Sequence, residues 1–160
     1  MKLVPVTYDE DRARVAALFD RAADYVRLER GTEPSAVDVE EFFNDLPPGL
    51  GPNDALQFSV DVEGVVVGLV TCCFGYPEPG DNYIGLMMFD PAHRGRGLGA
   101  RALDALTRIA ESRGATRQLV AVLEANQKGR AFWERQGFVV EEVFEPSADD
   151  HRRFRMARTI

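Results

Sequence analysis

The segment MMFDPAHRGRGLGARAL, Met87 to Leu103, constrains this chain more than any other. A β-prone apolar stretch reaches Asp90-Pro91, passes through Arg94-Gly95-Arg96-Gly97-Leu98-Gly99, and opens into apolar residues at helical spacing: Leu103, Leu106, Ile109 and Ala110. Glycines in such a loop let the backbone turn tightly and bring amide N–H groups to a ligand where a Cβ would collide. The helix N-terminus adds unsatisfied donors and partial positive charge, and Arg94 and Arg96 add donors for phosphate oxygens. A pyrophosphate suits this chemistry. Glycine-rich turns also join strands to helices with no ligand, so the loop alone leaves both readings open. The dinucleotide pattern Gly-x-Gly-x-x-Gly has a different spacing, and the Gly-Lys-Ser/Thr of an ATP-binding P-loop is not present.

The remaining elements follow from periodicity. Helical spacing runs from Tyr8 to Val26, with Asp9, Glu10 and Asp11 in the first turn, and Ser35 is a candidate cap for a short acidic helix through Phe42 and Phe43. The stretch Leu46–Asp54 is too rich in proline and glycine to be regular. Alternation from Leu56, a turn at Glu63-Gly64 and the run Val65–Phe74 predict a hairpin, and Tyr83–Phe89 a further strand. After the helix Leu98–Arg113 come a strand over Arg117–Leu123 and a helix from about Asn126 to Arg135. Two last strands, Phe138–Phe144 and His151–Thr159, are separated by a turn over Pro146–Asp150. The order predicts one α+β domain over residues 1–160, a mixed sheet with helices on both faces.

Net charge is −7, which argues against phosphate-backbone binding and thus against nucleic acid as the main partner. An acidic surface suits an amine-bearing or cationic substrate, and suits plain solubility equally. No apolar run is long enough to cross a bilayer, and the N-terminus lacks a secretory pattern, so the expectation is a cytoplasmic protein with no membrane partner. Cys72 and Cys73 are adjacent in a strand, so they point to opposite faces and read as small buried hydrophobes, not a disulfide. With His93 and His151 far apart in sequence and no ligand spacing, no metal site is expected.

Strand–DPxxRGxGLG–helix resembles motif A of the GCN5-related N-acetyltransferases (GNAT), Arg/Gln-x-x-Gly-x-Gly/Ala, met here by Arg94, Gly97 and Gly99. One helix and one strand later, Asn126, Ala131, Phe132, Trp133, Glu134, Arg135, Gly137 and Phe138 resemble that family's motif B, with one residue fewer before the aromatic. The resemblance covers about Leu56 to Phe144. It implies the acyl-CoA N-acyltransferase fold, a mixed, mostly antiparallel sheet of six or seven strands with about four helices, splayed between its central parallel strands to admit coenzyme A.

It further implies acetyl-CoA as co-substrate, with Gly95, Arg96, Gly97, Leu98, Gly99 and Ala100 holding the pyrophosphate through backbone amides. Backbone groups at Met87 and Phe89 would pair with the pantetheine arm, and a bulge near Met87–Phe89 would aim an N–H at the thioester carbonyl. Asn126 would bond the cofactor arm or cap its helix. The implied reaction is direct attack of a neutral amine in a ternary complex. Many relatives have a tyrosine four residues before Gly-Phe to protonate the leaving thiolate; Trp133 stands there, and an indole is no acid at neutral pH. Trp133 is expected to pack against cofactor or core. No general base stands out: Glu78, Asp81, Tyr83, Glu40, Glu41 and His93 all read more simply as solvated or structural. Asp38, Glu40, Glu41 and Asp45 hint at a cationic acceptor, and a homodimer is the default for the fold. Two alternatives stay open: a non-catalytic acetyl-CoA-binding sensor, and transfer of a longer acyl group.

Overall fold

The computed structural model describes residues 1–147 and 151–160. Among the described residues seven strands form one sheet: β1 (Lys2–Pro5), β2 (Ala55–Val62), β3 (Val65–Phe74), β4 (Asp81–Phe89), β5 (Arg117–Leu123), β6 (Val139–Phe144) and β7 (Arg153–Thr159). Their spatial order is β1-β2-β3-β4-β5-β7-β6, and β4–β5 is the parallel pair in an otherwise antiparallel sheet. The described residues also form five α-helices: α1 (Tyr8–Arg21), α2 (Ala23–Arg30), α3 (Ala36–Asn44), α4 (Leu98–Ser112) and α5 (Gln127–Arg135).

Two points differ from the sequence reading. Lys2–Pro5 is an edge strand, antiparallel to β2 in the register Lys2↔Asp61 to Pro5↔Phe58; four residues are too short a run to show alternation. The helix expected over Tyr8–Val26 breaks at Ala22, where φ −98° and ψ 31° leave helical geometry, so it becomes two helices, and α2 ends on left-handed Gly31. Apolar spacing carries on across the break and hid it. The turn expected over 146–150 falls partly on residues 148–150, which lie outside the described residues.

Ser35 does cap α3: its Oγ accepts from the Val37 N–H at 3.2 Å, and Asp38 Oδ2 accepts from the Ser35 N–H at 2.7 Å. Two apolar layers sandwich the sheet. On one face Val67, Val70, Ile84 and Val120 pack with Leu98, Leu103 and Leu106 of α4 and with Trp133 and Phe138; on the other, Leu69 and Met88 pack with Leu18, Phe19, Val26 and Phe42 of α1–α3. Among the described residues no helix is long and apolar enough to cross a membrane.

Candidate functional site

The parallel ladder is short. It runs Asp81↔Arg117, Asn82↔Gln118, Tyr83↔Leu119 and Ile84↔Val120, and ends there although both strands continue. Side chains at the first two register positions lock this closed end. Arg117 donates to both carboxylate oxygens of buried Asp81 at 2.9 Å, and fully buried Gln118 donates Nε2 to Asn82 Oδ1 at 3.1 Å. Gln118 Oε1 in turn accepts from Thr107 and from Arg158, whose Nη1 reaches the Gln136 carbonyl at 2.8 Å. Beyond Val120 the strands part, and the β5-facing backbone groups of 85–89 have no ladder partner.

A register shift marks the point of parting. Thr71 pairs with Leu86 and Cys72 with Ile84, so Gly85 is the extra residue. The bulge expected near Met87–Phe89 therefore sits slightly earlier, at Gly85. Only the register shows this, since a bulge has no period of its own to read.

The glycine loop closes one wall of the opening. Gly95 (φ 74°) and Gly97 (φ 73°) are left-handed, and Gly97 is the N-cap position of α4. Gly99 has another reason: a Cβ there would meet the Phe132 ring at 3.1 Å, so it lets α5 pack close. Asp90 ends β4 by accepting from the Ala92 N–H at 2.9 Å and from Arg21 at 2.7 Å, which fixes where the loop starts. Arg94 is already engaged: Nε donates to the Phe89 carbonyl at 2.9 Å, and its guanidinium pairs with Asp24 of α2. Arg96 is exposed, and no partner for it is found among the described residues.

On the opposite wall Asn126 Oδ1 accepts from the Gly129 N–H at 2.9 Å, so its side chain caps α5. Trp133 is buried between Phe132 and Phe138, both ring centroids 5.0 Å away, and is a core residue at the cleft wall. Met87, Phe89, Arg94, Gly95, Gly97, Leu98, Gly99, Ala100 and Asn126 all line one cleft of about 770 Å³. Arg96, expected with them, does not line it. Such a cleft fits an extended ligand with phosphates: it offers amide donors at a helix N-terminus and strand backbone ready to pair.

A second cavity of about 740 Å³ lies across β4, under α2, α3 and the loop of Asp45–Pro48. It shares Tyr25, Glu29, Gly85 and Leu86 with the first, so the two meet at the bulge. Glu29 pairs with Arg153 of β7 at 3.4 Å, yet burial raises its pKa, with Arg153, Arg30 and His151 pulling it back. Burial also pushes the Tyr25 phenol up, reinforced by the Glu29 charge and opposed by Arg153 and Arg30. Neither residue carries a sequence signal. Helix spacing alone makes them ordinary positions, and their importance comes from a β7 residue more than a hundred positions away.

The other candidate acids are placed elsewhere. Asp81 is spent on Arg117, Glu78 is exposed, and Glu40 accepts from Tyr8 on the outer side of α3. Asp38 and Glu41 line the second cavity but are paired with Arg30, and Tyr83 and Asp45 line it as well. His93 borders the cleft, 3.8 Å from Asp90. Cys72 and Cys73 are buried free thiols, each pushed up to about 11 by burial.

Comparison with known proteins bears on this geometry. The sequence model of the acetyltransferase (GNAT) family matches residues 16–138. An acetyltransferase from Thermus thermophilus superposes with a TM-score of 0.80 at 25% identity, over 99% of this chain and 96% of that one. The ribosomal-protein-S18-alanine N-acetyltransferase from Escherichia coli gives 0.73 at 17% identity, over 99% and 93%. The aminoglycoside acetyltransferase AAC(6')-Ib, solved in complex with coenzyme A, gives 0.74 at 18%, over 99% and 94%. Comparison with curated protein sequences gave no match.

Proposed function

The chain belongs to the acetyltransferase (GNAT) family, and from that premise we propose that it moves the acetyl group of acetyl-CoA to a primary amine of a small molecule or peptide, by direct attack in a ternary complex. The observation that carries this reading is the junction of two cavities at Gly85–Leu86, one suited to a phosphate-bearing thioester and one open for an acceptor. A binding module needs only the first. Gly95 to Ala100 would hold the pyrophosphate through backbone amides, and the unpaired edge at Met87 and Phe89 would align the pantetheine arm. The bulge at Gly85 would turn backbone donors toward the thioester carbonyl, and Asn126 would offer its amide from the far wall. Orientation and carbonyl polarisation then supply most of the acceleration.

The acceptor cavity carries four acids, Glu29, Asp38, Glu41 and Asp45, against two arginines, Arg30 and Arg153, which favours a cationic amine. The test is thiol release from acetyl-CoA with a panel of primary amines, including diamines, an aminoglycoside and a peptide N-terminus. Acetylated product with at least one amine is expected. Acetyl-CoA binding with no product from any amine supports a sensor module instead.

A further inference from the structure

Trp133 leaves the chain without the usual tyrosine to protonate a departing thiolate, and the sequence offers no base. The junction of the two cavities holds both kinds of group. Tyr25 and Glu29 lie four residues apart on α2, hence on one face of the helix, and each lines both cavities. We propose that Glu29 takes a proton from the acceptor ammonium and that Tyr25 delivers one to the coenzyme A thiolate, so that this pair on α2 carries the proton traffic of the transfer.

The steps balance. Glu29 carboxylate accepts one proton from R–NH3+, which frees the nitrogen lone pair; the C–N bond forms and the C–S bond breaks, its electron pair going to sulfur. Tyr25 gives its hydroxyl proton to that sulfur and is refilled by the proton on Glu29. The second proton that nitrogen loses leaves through the restored Glu29 carboxylate to solvent. The products are R–NH–acetyl, CoA–SH and one proton.

The surroundings suit that order of events. Facing Glu29 are Arg153 and His151 from the β7 side and Tyr25 and Arg30 from its own helix; Asp38 and Glu41 cross from α3, each held by Arg30. Desolvation keeps Glu29 easier to protonate than a surface glutamate, which suits a base acting near neutrality. Burial holds the Tyr25 proton, and while Glu29 is ionised its charge adds to that hold. Once Glu29 is protonated its share of the hold is gone and Arg153 still favours a phenolate, so Tyr25 becomes a better donor after the amine has been activated.

This inference rests on the acetyl-transfer reading, and the test separates the two. Glu29→Gln, Glu29→Asp and Tyr25→Phe are assayed with acetyl-CoA and the best amine of the panel across the pH range, with acetyl-CoA affinity measured by calorimetry. Glu29→Gln is expected to lower kcat/KM by about a hundredfold and abolish the acid limb of the profile, with Glu29→Asp recovering part of both. Tyr25→Phe is expected to lower kcat by at least about tenfold, with acetyl-CoA affinity changed by less than about threefold in all variants. Turnover and acid limb unchanged in Glu29→Gln and Tyr25→Phe overturn the pair while leaving acetyl transfer standing. Acetyl-CoA binding without turnover of any amine by the unsubstituted protein overturns the transfer reading, and the pair's role with it.

Discussion

Arg94 of the glycine loop and Asp24 of α2 form a two-bond ion pair, Nη1 to Oδ2 and Nη2 to Oδ1, across a sequence separation of 70. The Arg94 bonds hold the Asp24 carboxyl below its ordinary pKa. The pair ties the helix bearing Tyr25 and Glu29 to the loop expected to hold phosphate, so the motif arginine is here a strut between the two halves of the site.

That assignment divides the two loop arginines. Arg96→Ala is expected to weaken acetyl-CoA binding about tenfold and flatten its salt dependence, leaving thermal stability unchanged. Arg94→Ala is expected to cost up to about 1 kcal/mol of stability, since the pair is largely exposed, and to lower turnover by freeing α2. Calorimetry at two salt concentrations and a thermal melt on each variant check this; equal effects on affinity and stability would contradict it.

The cap on α5 makes a sharper case. A Cβ at Gly129 would lie 2.6–2.8 Å from the Asn126 amide, so the cap needs a glycine there. Asn126→Ala is expected to cost about 1 kcal/mol. Gly129→Ala alone gains helix propensity and loses the cap, leaving stability near unchanged, whereas in an Asn126→Ala background it is expected to stabilise by about 1 kcal/mol. A double-mutant cycle by denaturant unfolding reads the coupling.

Glu29 links stability to pH in the opposite sense to the chain's paired surface acids. Its folded-state pKa is raised, so its contribution is full below the unfolded carboxyl value and is lost as pH rises through the folded one. Glu29→Gln, which mimics the protonated form, is therefore expected to melt higher than the parent at neutral pH, with the difference vanishing in acid. A lower melting temperature at neutral pH would show that the ionised group is structural.

The closed end of the cleft depends on Gln118. Gln118→Leu leaves buried Asn82 Oδ1 without its donor and takes one acceptor from Arg158, which keeps the Gln136 carbonyl and Thr107 Oγ1, at an expected cost of about 2 kcal/mol. Acetyl-CoA affinity is expected to fall with it, because this network joins the two strands at the end of the ladder from which they part. Unchanged unfolding free energy would contradict the assignment.

The part of the site that was legible in sequence is the part built from local rules. Gly95 and Gly97 were readable because a left-handed turn into a helix demands glycine, and the strands 65–74 and 117–123 because β-branched runs bounded by turn residues have few other uses. Ser35 was readable as a cap for the same reason. What stayed hidden depends on register and long-range pairing. The Gly85 bulge exists only against Thr71 and Cys72, the Asp24–Arg94 strut joins segments far apart in the chain, and Glu29 becomes special only once β7 brings Arg153 beside it. Gly99 was legible as a glycine but for another purpose, since its neighbour is Phe132 as well as any ligand.

Acetyl-CoA is expected to occupy the cleft opened between β4 and β5 with its phosphates on the glycine loop, and calorimetric titration reads this out. The parent protein is expected to bind acetyl-CoA saturably, and Gly97→Glu to lose binding while still folding. Open space meets a Cβ at Gly97, and the left-handed φ costs only about 1–2 kcal/mol, but the new carboxylate faces the phosphate site. Binding lost in the variant with an intact thermal transition is the expected result; a parent protein that binds no acetyl-CoA, or a variant that binds as tightly as the parent, would rule out this site.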